Sequence, residues 1–271
     1  FKFDRDFNYN FAVEKPGARV SIMCTELNDY CRDENFQKFS KLGDCYQNKL
    51  LVYYSSENGD ILSPETYLKN INNFKRNIYY NYELSNELSV RKINYIDCGM
   101  TGGAQGAENA TLTLMMGGDK GIIDSVTPVL DTFTNRLIHV GKIGSGHALK
   151  LIHNMVTHTI FLATVEGVIG AKKLGIDPKT VIDVFNSGNA RSYISQSRFP
   201  NHILSEKWDA RSRVSNLHKD LSMVTDLLND NQIGCPYGEL TTSILQNAIS
   251  CGLADIDFSL LYNEYEKLIN D

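Results

Sequence analysis

The sequence lacks three things that define large protein classes. It has no Cys-x-x-Cys pair, no long apolar run and no surplus of positive charge. A membrane helix needs roughly 20 apolar residues in a row, and no segment comes near that, so no membrane partner is expected. Lys and Arg total 27 against 32 Asp and Glu, a net charge of −5. No broad basic face follows, which argues against nucleic acid as a partner. An anionic substrate would need a local cationic site, since the overall field repels it.

The six cysteines, Cys24, Cys31, Cys45, Cys98, Cys235 and Cys251, have no metal-ligand spacing, so no metal site is expected. Their even number admits disulfides. A chain of 271 residues can bury a core without them, so reduced thiols in a cytoplasmic protein are the expectation. The opening Phe1-Lys2-Phe3-Asp4-Arg5-Asp6 does not read as a signal peptide, because no basic region precedes an apolar stretch.

What is present divides into two halves. Residues 1–142 carry short β-branched or aromatic runs between polar stretches: Ala18–Cys24, Lys49–Tyr54, Asn77–Tyr80, Lys92–Asp97 and Thr111–Met116. A helical stretch from Tyr82 to Val90 lies among them. Strands alternating with helices predict an α/β domain with a largely parallel sheet, of the Rossmann-like kind and divergent in its first part. Residues 143–271 predict an all-helical domain. It starts with a long helix, from Ala148 to about Leu174, that is apolar nearly all round and ends Lys172-Lys173-Leu174-Gly175. Asp177-Pro178 opens the next helix as N-cap and first-turn proline. Further helices are expected at 192–204, 217–230 and 236–251.

Three clusters carry chemistry. Asp97-Cys98-Gly99-Met100-Thr101-Gly102-Gly103 follows a strand. Paired glycines let backbone N–H groups meet an anion, and Thr101 adds a hydroxyl; read alone, the segment is equally a flexible turn. Gly117-Gly118 reads as plain turn chemistry. In the second cluster, Lys150 and Asn154 are four apart on one helix face among apolar residues. Burial lowers a lysine's pKa toward the range of proton exchange near neutrality; the alternative is a lysine that snorkels to the surface. The third, Lys219-Asp220-Leu221, reads by itself as capping and charge balance.

Together these clusters resemble the β-hydroxyacid dehydrogenase family, relatives of 3-hydroxyisobutyrate dehydrogenase and the glyoxylate and succinic semialdehyde reductases. The family's substrate loop, D-x-P-V-S-G-G-x-x-G-A, is similar to Asp97–Ala107, with Thr101 in place of Ser. Its G-T-L-T-x-M-x-G-G is similar to Ala110–Gly118. Its catalytic helix, G-x-x-G-x-G-x-x-x-K-x-x-x-N, is similar to Gly141–Asn154. Lys219-Asp220-Leu221 and Asp257-Phe258-Ser259 match two further motifs. The resemblance implies an NAD- or NADP-dependent oxidoreductase acting on a small anionic β-hydroxy acid, or reducing the matching semialdehyde or keto acid. It implies Lys150 as general acid/base. Thr101, Gly102, Gly103 and Asn154 would bind substrate, and Thr25, Lys219 and Asp220 would lie at the cofactor, with Asp220 positioning Lys219. Arg191 is a weaker candidate for a substrate anion.

The family's G-x-G-x-x-G turn, which seats a dinucleotide pyrophosphate, has no counterpart in residues 1–100. The glycines there are Gly17, Gly43, Gly59 and Gly99. A second reading follows, that of a non-catalytic binding or scaffold member of the family. An enzymatic rival is the decarboxylating 6-phosphogluconate dehydrogenase, similar in its Lys-x-x-His-Asn string at Lys150–Asn154. The residues after Asn154 depart from it, and the chain is much shorter. His153 is therefore expected to be a helix residue without a catalytic part. The long apolar helix predicts a homodimer or homotetramer, because its own domain would leave Phe161 and Val168 poorly covered.

Overall fold

The computed structural model describes residues 19–24, 49–55, 79–90 and 93–270. Strands β1 (Arg19–Cys24), β2 (Lys49–Ser55), β3 (Asn94–Thr101), β4 (Leu112–Gly117) and β5 (Thr134–Gly141) form one sheet in that spatial order. The pairings β1–β2, β2–β3 and β3–β4 are antiparallel, and only β4–β5 is parallel. The expectation of a largely parallel sheet is thus corrected. Connection length explains the antiparallel β3–β4 pairing. A parallel crossover needs a dozen or more residues. Residues 102–111, with the short helix α2 (Gly103–Glu108), are too few and turn the chain straight back. The helix α3 (Lys120–Leu130) is long enough to carry β4 over to a parallel β5.

Tyr79 and Tyr80, expected in a strand, begin the helix α1 (Tyr79–Val90); Asn77 and Ile78 lie outside the described residues. Helical spacing overrides the β-propensity of the tyrosines, because Asn81, Leu84 and Leu88 fall on one stripe and all three are buried. Strand β3 is buried on both faces. Ile96, Cys98 and Met100 point to one side, into a core with Leu114, Met116, Ile123, Val126 and Leu130. Tyr95, Asp97 and Gly99 alternate onto the other side.

The chain divides into two compact units, one through Lys150 and one from Leu151 onward. The expected boundary at 142/143 precedes the helix α4 (Ser145–Lys173), whereas the units divide within that helix. The second unit is helical. Asp177 caps α5 (Pro178–Ser187), its carboxylate accepting from the Thr180 N–H at 2.9 Å, as the Asp-Pro pair predicts. The helix expected at 192–204 is a π-helix, Ile194–Ile203. Its five-residue spacing shows where Leu204 N–H donates to Phe199 O at 2.8 Å. Helices α6 (Val214–Asp230), α7 (Pro236–Ser250) and α8 (Leu261–Asn270) complete the unit.

The expectation that Phe161 and Val168 would be poorly covered is also corrected: both are fully buried within the single chain. The C-terminal segment supplies the cover. The Phe258 ring meets Phe161 edge-on at 4.8 Å, and Tyr265 on α8 donates to Glu166 at 3.0 Å. Sequence reasoning assigned no helix to 261–270 and so lacked that layer. Cys98, Cys235 and Cys251 are free thiols. Among the described residues no helix is long and apolar enough to cross a membrane.

Candidate active site

The site is built outward from strand β3. Asp97 is completely buried and reaches the start of α4, where its carboxylate accepts from Gly144 N–H at 2.5 Å and His147 N–H at 2.8 Å. The first N–H groups of a helix have no partner in the helix itself, and here a strand residue supplies one. Burial pushes the Asp97 pKa up to about 6, and the N–H groups of His147, Gly144 and Gly146 hold back part of that rise. Space for the carboxylate comes from glycines. A Cβ at Gly117 would collide with Asp97 Oδ1, and one at Gly146 would stand 2.8 Å from Oδ2. Gly117, read from sequence as plain turn chemistry, therefore clears room for a buried carboxylate.

A second polar group backs the same helix start. Tyr95 Oη donates to Asn81 Oδ1 at 2.8 Å, and His147 Nδ1 lies 3.1 Å from the same oxygen. A carbonyl oxygen only accepts, so this contact places a proton on Nδ1. Asn81, Tyr95 and His147 are all buried.

Lys150 sits in the second turn of α4 and is only 7% exposed. Among the described residues it has no hydrogen-bond or ion-pair partner. Beyond Gly99, strand β3 ends at half-buried Thr101, and exposed Gly102 and Gly103 follow. Both glycines have positive φ, 130° and 61°, and the space around Gly103 is open. Only glycine adopts that pair of conformations without strain.

In the second unit the cluster centres on one carboxylate. Asp220 is buried, accepts from Asn154 Nδ2 at 2.7 Å and pairs with Lys219 Nζ at 3.3 Å. Helix α6 starts at Val214, so Lys219 and Asp220 lie past its first residues. Their pairing is not a cap, which corrects the reading of the motif taken alone. Asn154 Oδ1 faces His153 Nδ1 at 3.1 Å. Arg191 is exposed, its backbone N–H bonded to Gly188 O. Thr25 lies outside the described residues. Sequence reasoning named Asp97 only as the start of a loop. Its partners are 47 and 50 residues away, and nothing local marks them.

Residues 144–265 match a family model described as the NAD-binding domain of NADP-dependent 3-hydroxyisobutyrate dehydrogenase. Residues 73–141 match one described as the NAD binding domain of 6-phosphogluconate dehydrogenase. The chain is 26% identical to 2-(hydroxymethyl)glutarate dehydrogenase of Eubacterium barkeri, over 65% of this chain and 58% of that protein. It is 27% identical to the mitochondrial 3-hydroxyisobutyrate dehydrogenase of Drosophila melanogaster, over 68% and 59%. Among solved structures, 3-hydroxyisobutyrate dehydrogenase of Mycobacterium tuberculosis with L-serine shares the fold. Its TM-score is 0.65 at 24% identity, covering 69% of this chain and 66% of that one. The chain spans about six tenths of the length of the curated relatives it matches. A nicotinamide-dinucleotide domain followed by a helical domain defines the class of protein. Through these matches the chain resembles the β-hydroxyacid dehydrogenase family, whose cofactor is NAD or NADP.

The raised pKa of Asp97 has a consequence for stability. Its folded value, about 6, stands above the ordinary 3.8, so its contribution is full below 3.8 and is lost as pH rises through about 6. Two pH units correspond to about 3 kcal/mol. Urea unfolding between pH 4 and 7 is expected to show that decline in the native protein and not in Asp97→Asn. Parallel profiles for the two proteins would contradict the assignment.

Proposed function

We propose that the chain is an NAD(P)-dependent oxidoreductase that acts on the CH–OH group of a small β-hydroxy acid, or reduces the matching semialdehyde or keto acid. Lys150 is its general acid/base. The observation that carries this reading is the burial of Lys150 with no partner among the described residues. Burying most of a lysine without pairing it is costly unless the group is in use, and the same helix begins on the Asp97 anchor. The relatives named above act on hydroxy acids according to their names, and the site residues suit such a substrate.

The roles follow from the groups. The bend at Thr101, Gly102 and Gly103 offers a hydroxyl and exposed glycine backbone to a carboxylate. Lys150 gives a proton to the substrate carbonyl oxygen in reduction and takes it from the hydroxyl in oxidation. Asn154 orients the substrate; its Nδ2 is committed to Asp220, and its Oδ1, which lies 3.1 Å from His153 Nδ1, has a second lone pair with which to accept from a hydroxyl. Bound NAD or NADP would supply the hydride acceptor or donor. Lys219 fits an anionic cofactor, because Asp220 fixes its ammonium while the side chain remains 39% exposed. Thr25 is kept as a cofactor contact on the family resemblance alone.

Assembly as a homodimer or homotetramer now rests on other residues than those first expected. Val156 and Ile160 on α4, and Tyr237 and Leu240 on α7, are exposed apolar side chains. Light scattering is expected to show a dimer or tetramer; a pure monomer would remove this part of the reading.

Lys150→Ala is expected to lower kcat by 10²–10⁴-fold, the usual span for losing a general acid/base, with cofactor affinity little changed. Steady-state kinetics with NAD(H) and NADP(H) on small hydroxy acids and semialdehydes would measure it. Retained turnover takes Lys150 out of the mechanism. No response of fluorescence or thermal stability to millimolar cofactor would favour the non-catalytic scaffold reading.

A further inference from the structure

We infer that Gly99 and Asp97 are positioning residues for Lys150: one face of strand β3 fixes where α4 carries that lysine. The inference rests on the proposed role of Lys150, but the contact that supports it does not. A Cβ at Gly99 would lie 2.6 Å from the carbonyl oxygen of Gly146 and 2.6 Å from Cβ of Lys150. Neither atom is the free end of a flexible side chain. One is helix backbone and the other is the first carbon of the lysine stem. Any side chain at 99 must therefore push the first turns of α4 away from the strand.

The need for glycine at 99 differs from that at the bend beyond it. Gly102 and Gly103 adopt left-handed backbone conformations, and Gly103 has open space around it. Gly99 has no such conformation; what it supplies is clearance. Asp97, two residues earlier and on the same strand face, supplies the complementary restraint. Its carboxylate holds Gly144 N–H and His147 N–H, so the helix start cannot slide along its axis. Gly99 sets how near the helix comes, and Asp97 sets where it begins. Lys150 is one turn past His147, close enough to inherit both restraints. Neither residue touches the reacting atoms in this account; both act through the place they give the lysine. Misplacing a catalytic group by about 1 Å can cost 10²-fold in rate.

The test reads Lys150 directly, without turnover. Native protein is pulsed with an N-hydroxysuccinimide ester at fixed pH, and acylation of Lys150 is followed by mass spectrometry. The rate is expected to rise at least threefold in Gly99→Ala, as the helix lifts off the strand. In the cofactor-linked assay kcat is expected to fall tenfold or more, with KM within threefold of the native value. Asp97→Asn keeps the size of the side chain and offers a folded second probe; its Lys150 acylation rate is expected to shift at least twofold. Val126→Ala, a core truncation on α3, controls for loss of stability and is expected to lower the unfolding temperature while leaving Lys150 acylation unchanged. A folded Gly99→Ala with native acylation and kcat would overturn the inference. If Gly99→Ala does not fold, native acylation in Asp97→Asn would overturn it. Equal acceleration in Val126→Ala would do the same, by showing that any loosening exposes the lysine. Turnover that survives Lys150→Ala defeats the functional reading instead, and leaves the acylation result standing.

Discussion

A carboxylate with no exposure to water holds the first turn of the longest helix among the described residues. Asp97 leaves the middle of strand β3, enters a space kept open by Gly117 and Gly146, and takes the N–H groups of Gly144 and His147. The positive end of a helix favours an anion there, while loss of water disfavours it. Loss of water is the larger effect, which is why the group titrates near 6. At neutral pH the ionised carboxylate therefore costs stability. What it supplies is a single register between strand and helix, a role attested for some buried polar groups.

The rest of the proposed chemistry hangs from that register. Each helical residue adds about 1.5 Å along the axis, so anchoring Gly144 fixes the level of Lys150. Gly99 then determines how close the strand and the lysine stem can come. In the second unit Asp220 does for Asn154 what Asp97 does for the helix start. It takes the Nδ2 side of the amide, while Oδ1 meets His153 Nδ1. The same carboxylate steadies Lys219, so one buried acid orients two groups with different tasks.

Local signals in the sequence were sufficient where the physics is local. The Asp177-Pro178 cap, the extent of α4 and the strands around Ile22, Val52, Ile96 and Leu114 follow from spacing and turn chemistry. The motif order that raised Lys150 above an ordinary helix lysine came from family resemblance. Its local context offered only an apolar neighbourhood. The rest depends on distant partners. No propensity reveals that Asp97 will meet Gly144, or that Gly117 must be small to allow it. The cover on Phe161 comes from residue 258 and beyond. The tyrosines at 79 and 80 follow their helix because Asn81, Leu84 and Leu88 need a common face. The antiparallel β3–β4 pairing follows from the shortness of the link after Thr101, a length visible in the sequence.

Native-state hydrogen exchange of individual backbone amides tests the anchoring role of Asp97 most directly. The Gly144 and His147 amides should be protected nearly as strongly as those of β3 and β4, and in Asp97→Ala these two should lose most of that protection while the strands keep theirs. Fast exchange of both amides in the native protein, or protection unchanged by the substitution, would contradict the account.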